Sequence, residues 1–204
     1  MRDSRLPVID DIRPLLAGYT SKEFTFPRIA KQLGISAKLL KLAFVNESGL
    51  IAEILNFEQH NLEEIFSHPD FLQINAIDGL LKVSTQIRDN FETILPSINF
   101  DLRESYPEVR LKFVERRVSF VNTKIKSNFE QGIQQGLYRR DLSPELISRL
   151  YISRLIDLHN PDFFPNESIS FQVLFNLMFD TFIYGICTDE GRKYYDQKKL
   201  ELKF

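Results

Sequence analysis

Residues 25–44 read TFPRIAKQLGISAKLLKLAF, and this stretch decides the fold of the N-terminal part of the chain. Gly34 separates two apolar-periodic segments, and a residue that tolerates positive φ allows a sharp reversal between helices. Ser36 follows, where its side-chain oxygen can cap the second helix. The stretch therefore predicts a helix-turn-helix, an arrangement that presents its second helix to the major groove of DNA. The apolar residues whose spacing lets the two helices share a core are Phe26, Ile29, Ala30, Leu33, Ile35, Leu40 and Phe44.

Positive charge is concentrated at this end of the chain. Residues 1–45 contain eight Lys or Arg and four Asp or Glu, which gives a net charge of +4. The rest of the chain contains 18 basic and 24 acidic residues, a net charge of −6. A positive end on a negative body favours phosphate binding by the N-terminal residues.

The remaining sequence has the periodicity of helices, and the predicted fold class is all-α. A short first helix is expected near residues 8–17, although Pro14 lies inside it and would remove a hydrogen bond or delay its start. Longer helices are expected over residues 49–66, 72–95, 107–135, 143–159 and 168–187. Pro107 and Pro144 stand at helix starts, where proline is tolerated.

Several other classes of protein are disfavoured by the composition. A lone Cys187 allows no internal disulfide and fits a reducing cytoplasm, and the sequence lacks an apolar run that would predict a membrane span. His60, Glu64 and His68 share one helix face but spread over about 12 Å, too far to hold one ion. We therefore expect no metal site and no cofactor. Because no catalytic motif is recognisable, a helical enzyme is only a third hypothesis.

The N-terminal residues resemble the TetR-type (tetracycline-repressor-like) family of bacterial regulators. Two later segments strengthen the resemblance: residues 131–144, QGIQQGLYRRDLSP, and residues 184–191, YGICTDEG. The first is similar to a helix exit that is usual in the family, and the second to the segment after its final long helix. The N-terminal positions that match the family pattern are Thr25, Ile29, Ala30, Gly34, Ile35, Ser36, Phe44 and Leu50.

The resemblance implies a cytoplasmic all-helical homodimer with two functional domains. Residues 1–48 would form a three-helix DNA-binding head, and residues 49–204 a larger body for ligand binding and dimerisation. The last two long helices of each subunit would form a four-helix bundle across a two-fold axis. An apolar stripe needs a partner, and a second copy of the chain supplies one, although the same side chains could instead pack inside one subunit. The residues predicted for the dimer interface are Leu150, Phe171, Phe175, Phe179 and Phe182.

The match to the family is poorest at the positions that face DNA. The family usually has threonine, tyrosine and a polar residue where this chain has Leu39, Lys41 and Leu42. It usually has lysine at the position of Glu47, and a carboxylate near a phosphate is repulsive unless it points away. We therefore expect an atypical DNA site that depends on phosphate contacts. The predicted contacts are Thr25, Arg28, Ser36, Lys38 and Lys41 to phosphates, with Ala37 and Leu42 facing the bases.

The function predicted from these residues is a dimeric, ligand-responsive regulator of transcription, most simply a repressor. Its partners would be a double-stranded DNA operator, a small apolar or aromatic effector and a second copy of the chain. Phe91, Phe113, Phe120 and Tyr151 are the predicted lining of an effector pocket in the body. The alternative is a dimeric small-molecule-binding or protein-interaction module with a degenerate helix-turn-helix and no sequence-specific DNA binding.

Overall fold

A computed structural model describes residues 6–67, 74–89, 102–158 and 169–202. Within these ranges every regular element is helical, apart from one isolated bridge between Tyr138 and Cys187, which confirms the all-α prediction. None of the helices described is both long enough and apolar enough to cross a membrane. In chain order the helices are α1 (Leu6–Ile12), a 3₁₀ helix (Arg13–Gly18), α2 (Phe26–Leu33), α3 (Ala37–Ala43), α4 (Glu47–Phe66), α5 (Ala76–Asp89), α6 (Leu102–Ser105), α7 (Pro107–Gln134), α8 (Pro144–Asp157), α9 (Phe171–Ile186) and α10 (Asp189–Leu202).

The chain forms two compact units that are not continuous in sequence. The first unit contains α1 to α3, residues 47–63 of α4, α6 and residues 107–117 of α7. The second contains the end of α4, α5, the rest of α7 and α8 to α10. The boundary between the two compact units therefore falls within α4 and within α7 rather than at residue 48. The division of function at that residue stays a prediction.

Proline divides the first predicted helix into two kinds of helix. Pro14 occupies the first turn of the 3₁₀ helix, and α1 ends at Ile12. The ring prevents the α-helical hydrogen bond at its own position, so the chain continues in a tighter helix. The prediction of a single α-helix over residues 8–17 was therefore wrong. Of the two effects considered for Pro14, the delayed start does not occur, since α1 already begins at Leu6.

The first unit is organised around one apolar core to which α1, the 3₁₀ helix, α2, α3, α4 and α6 all contribute. Arg13 is also buried there, with its guanidinium 4.7 Å from the centre of the Phe57 ring. The contact is a cation–π interaction, which partly compensates the charge for its loss of water. The buried apolar residues of this core are Ile9, Ile12, Leu16, Phe24, Phe26, Ile29, Ala30, Leu40, Phe44, Leu50, Ile51, Ile54, Leu55 and Leu102.

The second unit has an aromatic core centred on α9. Phe179 is fully buried and lies near Tyr195 of α10, with ring centres 6.4 Å apart. Phe182 packs against Tyr151 of α8 at 4.6 Å. The apolar residues of α9 that are buried in this unit are Leu174, Phe175, Met178, Phe179, Phe182, Ile183 and Ile186.

Two of the segments that carry the family resemblance pack against each other in the second unit. We call residues 132–139 and 186–191 together the glycine joint. Arg139 donates its backbone N–H to Ile186 O at 2.9 Å, and Thr188 donates its own to Leu137 O at 3.0 Å. A Cβ on Gly132 would overlap the Tyr138 ring, and one on Gly191 would overlap Leu137 O. Close contacts therefore explain Gly132 and Gly191, whereas Gly136 adopts a φ of 76°, which favours glycine.

Helix α10 was not predicted from the sequence. It begins at Asp189, after the segment taken as the end of the last strong helix, and few of its residues are apolar. Its buried side is instead held by tyrosines. Tyr195 donates its hydroxyl to Asp180 at 2.5 Å, and Tyr194 donates to Asp78 of α5 at 2.7 Å. Apolar periodicity does not predict α10, because its inward side chains are tyrosines that donate hydrogen bonds to carboxylates.

Candidate nucleic-acid interface

The turn between α2 and α3 has the geometry that the sequence predicts. Gly34 adopts φ 66° and ψ 28°, in the left-handed region. The N–H of Ile35 donates to Ala30 O at 3.0 Å and that of Gly34 to Lys31 O at 3.4 Å, which closes α2. Ser36 then caps α3, because its hydroxyl accepts the N–H of Lys38 at 3.2 Å. Both sequence predictions about this turn are confirmed.

The apolar skeleton of the motif fixes which side of α3 faces outward. Ile29 of α2 and Leu40 of α3 are almost completely buried in the first unit, and Phe44 closes the core after α3. Leu33 is only partly buried and Ile35 is exposed. With Leu40 inside, α3 has one orientation on α2, and the residues on its other side form the candidate interface.

Helix α3 presents two lysines and two leucines to solvent. Lys38 and Lys41 are exposed, and neither makes an ion pair within the described parts of the chain. Leu39 is 56% exposed and Leu42 is 76% exposed. Ala37, by contrast, is partly buried and packs against the core. Leu42 is therefore placed as its predicted role requires, whereas Ala37 has less surface to offer.

The surroundings of α3 are strongly basic. Residues 20–46 contain five Lys or Arg (positions 22, 28, 31, 38 and 41) and one acidic residue, Glu23. Hydrogen bonds from the backbone and hydroxyl of Thr20, then from Arg28, lower the pKa of Glu23. Arg28 donates to Glu23 at 2.8 Å and lies 5.3 Å from the centre of the Tyr19 ring. Because Arg28 is already paired, Lys38 and Lys41 are the better phosphate ligands.

Glu47 takes part in an interaction that sequence reasoning missed. Its Oε1 accepts the backbone N–H of Phe26 at 3.0 Å, at the N-terminus of α2. Thr25 occupies the N-cap position of α2, but its side chain makes no capping hydrogen bond. The carboxylate thus does the capping that Thr25 would otherwise do, and it complements the positive end of the α2 dipole. The 21-residue separation hides this pair from any local motif.

The predicted pocket residues lie in separate surroundings. Phe91 falls outside the described residues. Phe113 packs against the core of the first unit, and its ring lies 4.7 Å below the guanidinium of Arg117. In the second unit Phe120 makes an edge contact with Phe66 at 5.4 Å. Tyr151 is buried against Phe182, and burial raises the pKa of its phenol. A shared role in binding an effector stays a prediction.

The aromatic residues predicted for a dimer interface are mostly buried within one subunit. Phe175 and Phe179 have no exposed surface, and Phe182 is 7% exposed. These three side chains therefore pack inside the subunit, which was the alternative to the dimer interface. Phe171 is partly exposed, and Leu150 is 56% exposed. The difference arises because α9 is apolar on several sides and periodicity alone cannot tell which side faces out. The outward apolar residues of α8 and α9 are Leu146, Leu150, Val173 and Leu177.

Comparison with known proteins gives structural matches only. No family model matches the chain, and no curated protein matches its sequence. A protein described as a TetR-family transcriptional regulator from Rhodococcus has a TM-score of 0.69 at 18% identity, covering 88% of this chain and 98% of that one. FadR from Bacillus subtilis, solved with stearoyl-CoA, has a TM-score of 0.67 at 17% identity, covering 90% and 100%.

SmeT, the repressor of the Stenotrophomonas maltophilia multidrug efflux pump SmeDEF, has a TM-score of 0.67 at 12% identity, covering 92% of each chain. Structural matches at identities this low show that the backbones are similar, and they carry no information about the chemistry of the surfaces. The matches nevertheless extend over 88–92% of this chain. The chain therefore has the fold of the TetR-family transcriptional regulators.

Proposed function

We propose that the protein is a dimeric transcriptional repressor that binds operator DNA through α3 and is released by a small ligand. The observation that carries the proposal is the capped helix-turn-helix with Lys38 and Lys41 exposed on its outer side. A major groove admits one helix, and the flanking cations neutralise phosphates on its rims. The absence of acidic partners for both lysines, in the part of the chain that the structure describes, leaves their charge available to DNA.

Dimerisation is supported by the outward apolar residues of α8 and α9. Leu146 and Leu177 are each 61% exposed, and Val173 is 58% exposed. Exposed leucines at helical spacing on two neighbouring helices are typical of a face that a partner covers. A two-fold dimer would bring the same face of both subunits together and supply two DNA-binding helices.

The effector is proposed to be small and either apolar or aromatic. The abundance of Phe and Tyr, 18 and 7 in the chain, supports this chemistry. FadR from Bacillus subtilis, whose structure resembles this one, was solved in complex with stearoyl-CoA, which supports an effector for this chain as well. Binding would shift the population between forms that differ in DNA affinity.

The proposal is tested by fluorescence polarisation with a labelled duplex taken from upstream of the protein's own coding region. We expect this duplex to be bound at least 100-fold more tightly than an unrelated duplex of the same length, as specific sites generally are. Lys38→Ala and Lys41→Ala should each weaken binding to both duplexes. Lys193→Ala, which removes an exposed lysine of α10, is the matched control and should bind normally.

A second candidate function is a ligand- or protein-binding module that has lost sequence-specific DNA recognition. The exposed Leu39, the pairing of Arg28 with Glu23 and the carboxylate of Glu47 favour it. Equal, weak affinity for every duplex, unchanged in the lysine variants, would support this second function and overturn the repressor.

A further inference from the structure

The outer side of α3 carries exposed leucines as well as its two exposed lysines. Leu39 is 56% exposed, Leu42 is 76% exposed, and Val45, just beyond the helix, is 92% exposed. Packing within the subunit does not require these leucines, since Leu40 supplies the inward contact and is only 1% exposed. Leu39 and Leu42 are three residues apart, so they lie side by side on the helix surface. We call this pair the leucine face.

Positive charge surrounds the leucine face. Lys38 and Lys41 are its immediate neighbours in sequence, and residues 20–47 contain five basic residues and two acidic ones, a net charge of +3. Of the acidic residues, Glu23 is paired with Arg28 and Glu47 accepts the backbone N–H of Phe26. A matching partner needs negative charge at its edges and apolar groups between them. The major groove of DNA supplies both, because thymine places its C5-methyl group on the floor between two rows of phosphates.

We infer that the leucine face reads thymine methyl groups, so that A·T pairs at defined positions of the operator determine specificity. The inference rests on the proposed function as a DNA-binding regulator. Leucine has neither a donor nor an acceptor and therefore cannot read the hydrogen-bonding edges of the bases. What it can distinguish is the presence of a methyl group, because burying one between apolar side chains is favourable.

Deoxyuridine differs from thymidine only by lacking this methyl group, and it provides the test. After footprinting of the upstream duplex, each thymine of a half-site is replaced in turn by deoxyuridine, and binding is measured by polarisation. We expect about a fourfold loss of affinity at one or two positions per half-site, the effect of one buried methyl group. At the other thymines affinity should not change.

Leu42→Ala identifies the side chain responsible. The variant should bind the thymine duplex several-fold more weakly and should lose its sensitivity to deoxyuridine at the position that Leu42 contacts. Because Leu42 is mostly exposed, the substitution leaves the core intact. Leu200→Ala, which shortens an 82% exposed leucine of α10, is the control and should keep the full fourfold effect. The ratio between the two duplexes should be the same at 50 and 200 mM salt, since no ion contact is changed.

Equal binding of the thymine and deoxyuridine duplexes by the unmodified protein, with specific binding intact, would overturn the inference and leave the proposed function standing. Failure to bind any duplex specifically would overturn both. A leucine face that serves protein association would be recognised by sedimentation without DNA. In that case Leu42→Ala would change the oligomeric state while deoxyuridine had no effect, and the inference would be wrong.

Discussion

Replacing Gly191 by alanine tests whether the glycine joint holds the second unit together. A Cβ at this position would lie well within 3 Å of Leu137 O and 3.2 Å from Cys187 Cβ. Leu137 O is backbone and accepts two hydrogen bonds from Thr188, from its N–H at 3.0 Å and its hydroxyl at 3.2 Å. It therefore cannot move without loosening the contact between the two segments.

The expected cost follows from these contacts. Weakening two hydrogen bonds costs about 2 kcal/mol, at about 1 kcal/mol each. Forcing a methyl group into a filled space costs a further 1–3 kcal/mol or so. The higher helix propensity of alanine offsets up to about 1 kcal/mol of this. We therefore expect the free energy of unfolding to fall by about 3 kcal/mol, and Tm by about 6–12 °C for a chain of this size.

Urea unfolding followed by circular dichroism, at one fixed protein concentration, measures the change. Gly185→Ala is the matched control, because a Cβ there meets nothing within 4 Å and the residue lies in α9. It should leave stability unchanged or raise it by up to about 1 kcal/mol. If Gly191→Ala and Gly185→Ala were equally stable, the close approach at the glycine joint would be refuted.

Three further predictions concern the head, the thiol and the dimer. Glu47→Gln keeps an oxygen that can accept the Phe26 N–H but removes a negative charge. At an assumed separation of about 7 Å in water, that charge costs about 0.6 kcal/mol against a phosphate, so DNA affinity at low salt should rise about threefold for each head and about eightfold for a dimer. Polarisation measures the change with Glu190→Gln in α10 as the control, and unchanged or weaker binding would contradict the repulsion. Burial raises the pKa of Cys187 to about 12, so iodoacetamide at pH 8 should alkylate the thiol only in urea. The free energy of unfolding should decline as pH rises from the unfolded pKa of about 8.5 towards 12, because only the unfolded chain then releases the proton. Rapid alkylation of the folded protein, seen by mass spectrometry, would be incompatible with this burial. Leu177→Glu should convert the proposed dimer to monomers at micromolar concentration in sedimentation velocity, because the interface would then bury an unpaired charge. Leu111→Glu, at a similarly exposed leucine of α7, is the control and should leave the dimer intact, whereas a dimer that survives Leu177→Glu would exclude this face of α9 from the interface.

The parts of the fold that the sequence predicts are those determined by local chemistry. Gly34 and Ser36 sit next to the groups they serve, and the predicted turn is confirmed with a left-handed glycine and a capping hydroxyl. Pro107 was likewise expected at the start of a long helix, and α7 begins there. In each case the residue type admits few conformations, so its neighbours in sequence suffice.

The features that the sequence did not reveal depend on contacts between distant residues. Glu47 was considered only for its repulsion of phosphate, and its hydrogen bond from the backbone N–H of Phe26 was not foreseen. Phe175 and Phe179 were assigned to a dimer interface but are buried, Phe179 beside Tyr195 of α10, a helix that periodicity did not detect. Apolar residues on several sides of α9 are compatible with more than one packing arrangement, and the positions of the neighbouring helices decide between them.

The central claim is that Lys38 and Lys41 bind phosphates of operator DNA. The slope of log affinity against log salt concentration, measured by polarisation for the unmodified protein and for the double variant Lys38→Ala/Lys41→Ala, tests it most directly. Each phosphate contact contributes about 0.9 to the slope, so removing two from each half-site should flatten it by about 3.6 for a bound dimer. An unchanged slope in the double variant would contradict the assignment of α3 as the DNA-binding helix.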